Sequence, residues 1–268
     1  MLPAVVLMSA CKKESTEIYP TSKANNDSTH FYLAVDNDMN SVEDDIDEAQ
    51  DDNSNKRIGA SCYSVSYVKD TSAPVPGFEN NYRKFILTYS GSCDSLNRSG
   101  QIIVYKSGSW LTGNYRDSIT FSGFSTDGRS IKGYKTRKFS KTSDLKNLVF
   151  DFSTNLEGTN SSGKAYSYKA VGKKTLVNYL LPALKYVEVT GAGVFVNAEG
   201  KQVSYAITSP IKLLKACKSK MRFPVSGSVT YNNTAANYAS VVDYGNGNCD
   251  KLATISINNG APVIFKMK

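Results

Sequence analysis

Carboxylates are the side chains of this sequence with the widest scope for catalysis. The only histidine is His30; it lies in a polar N-terminal segment, so Ser-His-Asp and Cys-His arrangements lack a general base and imidazole zinc sites are excluded. Glycoside hydrolysis needs only two carboxylates, and the candidates are Asp117, Asp151, Glu157 and Glu188. No spacing rule makes two of them converge, so we predict no catalytic residue, no metal ligand and no cofactor.

An acidic amphipathic helix is predicted within residues 31–55. Its apolar residues recur at spacings of three and four: Tyr32, Val35, Met39, Val42, Ile46 and Ala49. The run Asp36-x-Asp38-x-Asn40 invites comparison with a calcium loop, but Ser41 stands where the sharp turn needs glycine and Asp47 where the bidentate glutamate belongs. We therefore expect a short acidic helix that packs on the body or stays mobile.

The start of the chain predicts a lipoprotein anchor. An apolar run of about ten residues, too short to span a bilayer, ends in Ser9-Ala10-Cys11, a sequence typical of the box at which lipoprotein signals are cut and the cysteine acylated. The alternative is a free buried cysteine. We expect a signal peptide over residues 1–10, acylated Cys11 as the membrane anchor and a polar tether over residues 11–30. In lipoproteins that this start resembles, a lysine after the cysteine, here Lys12, fits the outer membrane better than the inner one.

Charge is distributed unevenly. The net charge is +8, yet residues 36–52 carry nine acids and no base, and residues 56–268 carry 29 bases against 12 acids. A basic body favours anionic partners. The bases are scattered through alternating patterns such as Tyr166-Ser167-Tyr168-Lys169, which is more typical of a solvated face, and no specific nucleic-acid binding is expected.

The body, residues 56–268, has the period-two pattern of an all-β fold. From Ser61 onward β-branched and aromatic residues alternate with polar ones, with turn residues every 8 to 12 positions. The pattern predicts an antiparallel meander that forms either a large curved sheet or a β-sandwich, preceded by the short acidic helix. Separate strands are expected over 163–170 and 174–181, and over 184–190 and 193–197. A helix over 175–189 is the alternative, which Pro182 disfavours.

Four cysteines fall into two pairs with similar surroundings. Cys62 and Cys93 are 31 residues apart, and Cys217 and Cys249 are 32 apart. An even number in an exported chain suggests disulfides within two related modules, about 58–138 and 213–268, separated by a central hairpin region. The expected bonds join 62 to 93 and 217 to 249, although four cysteines permit three pairings and free thiols are the alternative.

Several segments resemble a family of uncharacterised Bacteroidetes-type outer-membrane lipoproteins with cysteine-containing hairpin repeats. The similarity covers about residues 58–268 and is carried by turn and strand segments: Tyr89-x-Gly91-x-Cys93-Asp94, Gly100–Tyr105, Ser118–Phe121, Ile131–Gly133, Thr190–Gly193, Ile207–Pro210 and Phe223–Gly227. It implies a β-hairpin body and an outer-membrane address, facing the periplasm or the cell surface. It implies no assigned activity and no active-site residues.

A loop with the single tryptophan is the candidate ligand site. Trp110 lies between small residues, with Tyr115 and Arg116 close behind it, and exposed aromatic rings stack on sugars, although a tryptophan in a β protein is more often part of the core. The expected function is a non-enzymatic binding protein for a glycan, a peptide or an envelope protein. The alternatives are a structural envelope component and a carboxylate-dependent glycan hydrolase.

Overall fold

The structure, a computed structural model, describes thirteen strands and one helix. It describes residues 34–36, 38–47, 49, 62–68, 82–93, 96–109, 113–140, 146–178, 186–197, 199–214, 217, 223–233 and 237–267. Helix α1 is helical at residues 34–36, 38–47 and 49. The strands are β1 Tyr63–Val68, β2 Arg83–Cys93, β3 Leu96–Ser107, β4 Arg116–Thr126, β5 Arg129–Ser140, β6 Leu148–Thr159, β7 Ala165–Val177, β8 Tyr186–Val196, β9 Gln202–Leu214, β10 Pro224–Asn233, β11 Tyr238–Asn246, β12 Leu252–Ile257 and β13 Val263–Lys266.

The strands form one antiparallel sheet in which each strand pairs with its neighbours in sequence. The order runs from β1 to β13 without a crossover, which confirms the predicted meander and decides for a curved sheet over a sandwich. The sheet is not closed. Within the described residues, no helix is long and apolar enough to cross a membrane.

Two predicted strand breaks are absent. Within the described residues, no break separates segments 163–170 and 174–181, which share β7, or segments 184–190 and 193–197, which share β8. Gly172 and Gly191 lie at the two predicted breaks but are paired across β7 and β8, and a Cβ on Gly172 would lie 2.1 Å from the Thr190 carbonyl oxygen. The glycines therefore permit close backbone approach within continuous strands. The helix alternative is wrong for 175–177 and 186–189, which are extended.

The sheet curls around α1. At one side the Tyr67 hydroxyl of β1 donates to the Ala49 carbonyl oxygen at 3.0 Å. At the other, Asp36 and Met39 line one small cavity together with Pro224 of β10. Nine strand spacings span about 43 Å along a sheet, whereas a 16-residue helix is about 24 Å long. Strands this far apart meet the same helix only if the sheet is strongly curved.

The core lies on the concave face and includes one side of α1. Val35, Val42 and Ile46 are fully buried, and Met39 and Ala49 nearly so. They belong to a single apolar cluster that extends from β2 to β13. The predicted acidic helix is thus confirmed, and its apolar stripe packs on the body.

One of the two expected disulfides is confirmed. The Sγ atoms of Cys217 and Cys249 are bonded, with their Cα atoms 5.4 Å apart. Cys62 is also disulfide-bonded, and its pairing with Cys93 stays a prediction. Each cysteine pair flanks a hairpin, β1–β2 or β10–β11. The relation between the two modules stays a prediction, and both lie within one continuous sheet.

Truncating one buried apolar side chain of α1 is predicted to destabilise the whole body. Val42→Ala should lower the free energy of unfolding by about 1–2 kcal/mol, because the methyl groups it removes are fully buried between helix and sheet. The matched control is Val171→Ala on β7, where the side chain is 60% exposed and we expect a change below about 0.5 kcal/mol. Urea denaturation of the full chain measures both. Equal effects of the two changes would contradict the packing of α1.

Candidate functional site: the two faces of the sheet

Two of the three nominated ligand residues, Tyr115 and Arg116, are described by the structure, and their side chains lie on opposite faces. Trp110 lies outside the described residues. Tyr115 is only 7% exposed and packs with Phe139 and Leu148, and its hydroxyl donates to Asp117 Oδ2 at 2.7 Å. Tyr115 is therefore a core residue, contrary to its nomination as a ligand platform. Arg116, the next residue along β4, lies on the opposite, convex face because strand side chains alternate.

A buried carboxylate of α1 lies at the centre of the concave face. Glu43 has no exposed surface, and both Lys135 of β5 and Lys174 of β7 form ion pairs with it. Arg137 lies 3.6 Å from its Oε2 atom. Three strand residues from two strands thus surround one helix residue.

The three bases decide the protonation state of Glu43. Burial by itself acts to raise the pKa of this carboxyl, but the charges of Lys135, Lys174 and Arg137 outweigh burial and hold its pKa well below the usual range. Glu43 is therefore ionised at neutral pH. A buried charge of this kind is tolerable only because it is paired on several sides.

The charge network continues across β4. Arg137 donates to Asp117 Oδ1 at 3.1 Å and to Asp117 Oδ2 at 2.6 Å, and these two residues are paired between the adjacent strands β4 and β5. Arg137 also lies 3.6 Å from Asp47 of α1. Burial acts to lower the pKa of the Arg137 guanidinium, but Asp117 and Asp47 raise it well above its ordinary value. Burial and Asp117 raise the pKa of the Tyr115 phenol.

Two further ion pairs hold α1 near its ends. Arg129 of β5 donates to both carboxylate oxygens of Asp38, at 3.0 and 3.1 Å. Arg98 of β3 donates to Asp45 Oδ2 at 2.5 Å, and the Tyr89 hydroxyl donates to the same atom at 2.8 Å. Burial raises the pKa of Asp38 to about 6, against the opposing charge of Arg129. Burial also raises the pKa of Asp36.

The interpretation of the bases as a solvated face is wrong for one group of them. Arg98, Lys135 and Arg137 are buried and point toward α1. The sequence offered one signal that could have found them, the contrast between nine acids in residues 36–52 and the basic body. The alternating pattern alone could not identify these buried bases, because a lysine or arginine in a strand normally keeps its charged group in water.

The calcium-loop comparison fails in the structure as well. Asp36, Asp38 and Asn40 are helical; Asn40 Nδ2 donates to Asp36 Oδ2 at 3.3 Å, and Asp38 binds Arg129. Across the residues that the structure describes, no group of three or more His, Cys, Asp or Glu side chains is arranged to hold a metal ion.

The helix leaves little space on the concave side. The cavity between Glu43, Met39 and the strands β5 to β10 has a volume of about 50 Å³, which is room for a few water molecules. A ligand larger than that has to bind elsewhere, unless the helix leaves. The broad exposed surface of the body is the convex face.

Three of the four carboxylates considered for hydrolysis lie on that convex face, each opposite a base. Asp151 is paired across the sheet with Lys138 and Lys173, Glu157 with Lys132, and Glu188 with Lys212. The fourth, Asp117, is buried on the concave face with Arg137. The structure therefore separates these carboxylates between the two faces.

Removing the charge of Glu43 is predicted to destabilise the fold strongly. Glu43→Gln keeps the shape of the side chain but leaves Lys135 and Lys174 without their buried counter-ion, so unfolding should become easier by about 3–5 kcal/mol. The control is Glu199→Gln, whose partner Lys164 is 3.6 Å away with both side chains more than half exposed; its effect should stay below about 0.5 kcal/mol. Thermal and urea unfolding measure the two variants, and a Glu43→Gln protein as stable as the control would refute the central role of this carboxylate.

Asp38 is predicted to make the protein more stable as the pH falls toward 4. Its pKa is about 6 in the folded protein and about 4 in an unfolded chain, so the folded state binds a proton in this window that the unfolded chain does not. The free energy of unfolding of the wild type, minus that of Asp38→Asn, should therefore rise as the pH is lowered from about 7 to about 4. Urea titrations at several pH values measure this difference, and a constant or falling difference would contradict it.

Comparison with known proteins yields no relative. The chain matches no protein-family model, no curated protein and no solved structure.

Proposed function

We propose that this protein is an outer-membrane lipoprotein whose body is a non-enzymatic binding protein for a glycan or another envelope component. The proposed anchor is acylated Cys11, joined to the body by the tether, with the body facing the periplasm or the cell surface. The disulfide between Cys217 and Cys249 supports export, because such bonds persist in oxidising compartments.

The open, polar convex face is the main support for the proposed binding function. The concave face is occupied by α1, whereas the other face of a thirteen-stranded sheet presents alternate side chains to solvent. Those of β6, for example, are the polar or charged Asp151, Ser153, Asn155 and Glu157. A depression of about 470 Å³ on the described part of the body is lined by Lys132, Glu157 and Ser167 and is open to solvent. A wide polar surface of this kind suits an extended ligand or a partner surface better than a small substrate.

The two alternatives receive less support from the same observations. A structural component that assembles through sheet edges would need long free edges, and the terminal strands β1 and β13 have six and four residues. A carboxylate-dependent glycan hydrolase would need two carboxylates facing one cleft. The candidates Asp151, Glu157 and Glu188 instead lie opposite bases on an open face.

One variant tests anchor and binding together. The chain with Cys11→Ser cannot be acylated, so we expect it to move from the membrane fraction to the soluble fraction of the expressing cells, whereas a Ser15→Ala control stays in the membrane fraction. The purified Cys11→Ser chain should then rebind isolated envelopes in a saturable manner. Binding is measured by co-sedimentation, with the urea-unfolded chain as a background control.

Each readout can fail separately. A Cys11→Ser chain that remains membrane-bound through high-salt washing would overturn the lipid anchor. A folded chain that sediments with envelopes no more than the background control does would overturn the binding function.

A further inference from the structure

We propose that the ligand is an acidic polysaccharide that lies along a convex patch on β4 to β7, an inference that rests on the binding function proposed above. The convex patch is defined by six residues whose side chains point away from α1: Arg116, Tyr134, Lys138, Lys169, Val171 and Lys173. Together with Asp151, which lies between two of the lysines, the patch has four bases and one acid, a net charge of +3.

Three of the bases share one row across the sheet. Arg116 is paired with Lys138, Lys138 with Asp151, and Asp151 with Lys173. With adjacent strands about 4.8 Å apart, the row is about 14 Å long. Lys173 Nζ lies 3.8 Å from Asp151 Oδ1, and both side chains are at least half exposed. Asp151 lies between Lys138 and Lys173 in this row, and a single exposed carboxylate cannot neutralise both lysines, so the row attracts anions.

Exposed apolar surface lies beside this row. The Tyr134 side chain is 41% exposed and that of Val171 is 60% exposed, although both belong to central strands of the sheet. Tyr134 is paired across β6 with Asn155, and Asn155 with Lys169, so an aromatic ring, an amide and an ammonium group follow one another across three strands. An acidic sugar ring matches these groups, because it has an apolar face that can stack on an aromatic ring and hydroxyl or carboxylate groups at its rim.

The chemistry of the patch favours a carboxylated polysaccharide over other polyanions. Sites for single-stranded nucleic acid combine a basic groove with several stacking aromatics, whereas the patch has one aromatic residue on a convex surface. A small anion would need a concave site that encloses it. An extended chain of uronic acids can instead contact the basic row and the Tyr134 ring at once, because these are about 13 Å apart along β5.

The test uses the full chain carrying Cys11→Ser, with polygalacturonate and hyaluronate as probes. We expect saturable binding to at least one probe, weakened by added salt, and no binding to neutral dextran. Lys138→Gln combined with Lys173→Gln should weaken the affinity about tenfold, as expected for the loss of two exposed charge pairs. Tyr134→Ala should weaken it about fivefold through the loss of stacking. Surface plasmon resonance on the immobilised polysaccharide measures all affinities.

The matched control is Lys201→Gln combined with Lys266→Gln, which makes the same charge change at exposed residues outside the patch and should leave the affinity within about twofold. Equal weakening by both double variants, or unchanged binding by the patch variant, would overturn the inference. Single-stranded DNA or phosphatidylglycerol vesicles that bind as tightly as the polysaccharides would overturn it too. A chain that binds envelopes but neither probe overturns the ligand class alone, and a chain that binds none of them overturns the binding function as well.

Discussion

The structure depends on the match between an acidic helix and a basic concave surface. A sheet that curls this far has its inner side chains converging on a space that must be filled, and α1 fills it with five apolar residues and a set of carboxylates. Lys135, Arg137 and Arg98, which point toward the helix, each have an acid within ion-pair distance. The apolar stripe provides the driving force, and the ion pairs make the burial of the charges tolerable.

The ion pairs also give the helix one position. Apolar contacts alone would tolerate sliding or rotation of a short helix, because hydrophobic attraction is not directional. A shift of one residue would move Glu43 from Lys135 and Lys174 and separate Asp38 from Arg129, which leaves several charges buried without partners. That penalty of several kcal/mol per ion is far larger than the net worth of the pairs themselves. The network therefore specifies the register of α1 more than it adds to the stability.

The same residue types have opposite roles on the two faces of one strand. On β5, Lys135 and Arg137 are buried against the helix, whereas Lys138 is exposed and belongs to the convex patch. Because alternate side chains of a strand point to opposite faces, one position along the chain separates a structural charge from a charge available to a ligand. The neutralised concave face and the positively charged convex patch therefore arise from the same basic composition of the body.

The sequence by itself determined the acidic helix, the antiparallel meander and the bond between Cys217 and Cys249, because each is encoded locally: in the spacing of apolar residues, in period-two alternation with turns, and in a cysteine pair of defined context. It overestimated the number of strands where Gly172 and Gly191 are paired inside continuous strands. Only the tertiary structure decided that the sheet curls around the helix and that Tyr115 is buried while the half-buried Arg116 lies on the opposite face. It also decided that five body bases point inward to α1: Arg98, Arg129, Lys135, Arg137 and Lys174. These outcomes depend on contacts between distant residues, such as Glu43 and Lys174, which are 131 positions apart, and no local pattern contains the position of a distant counter-charge.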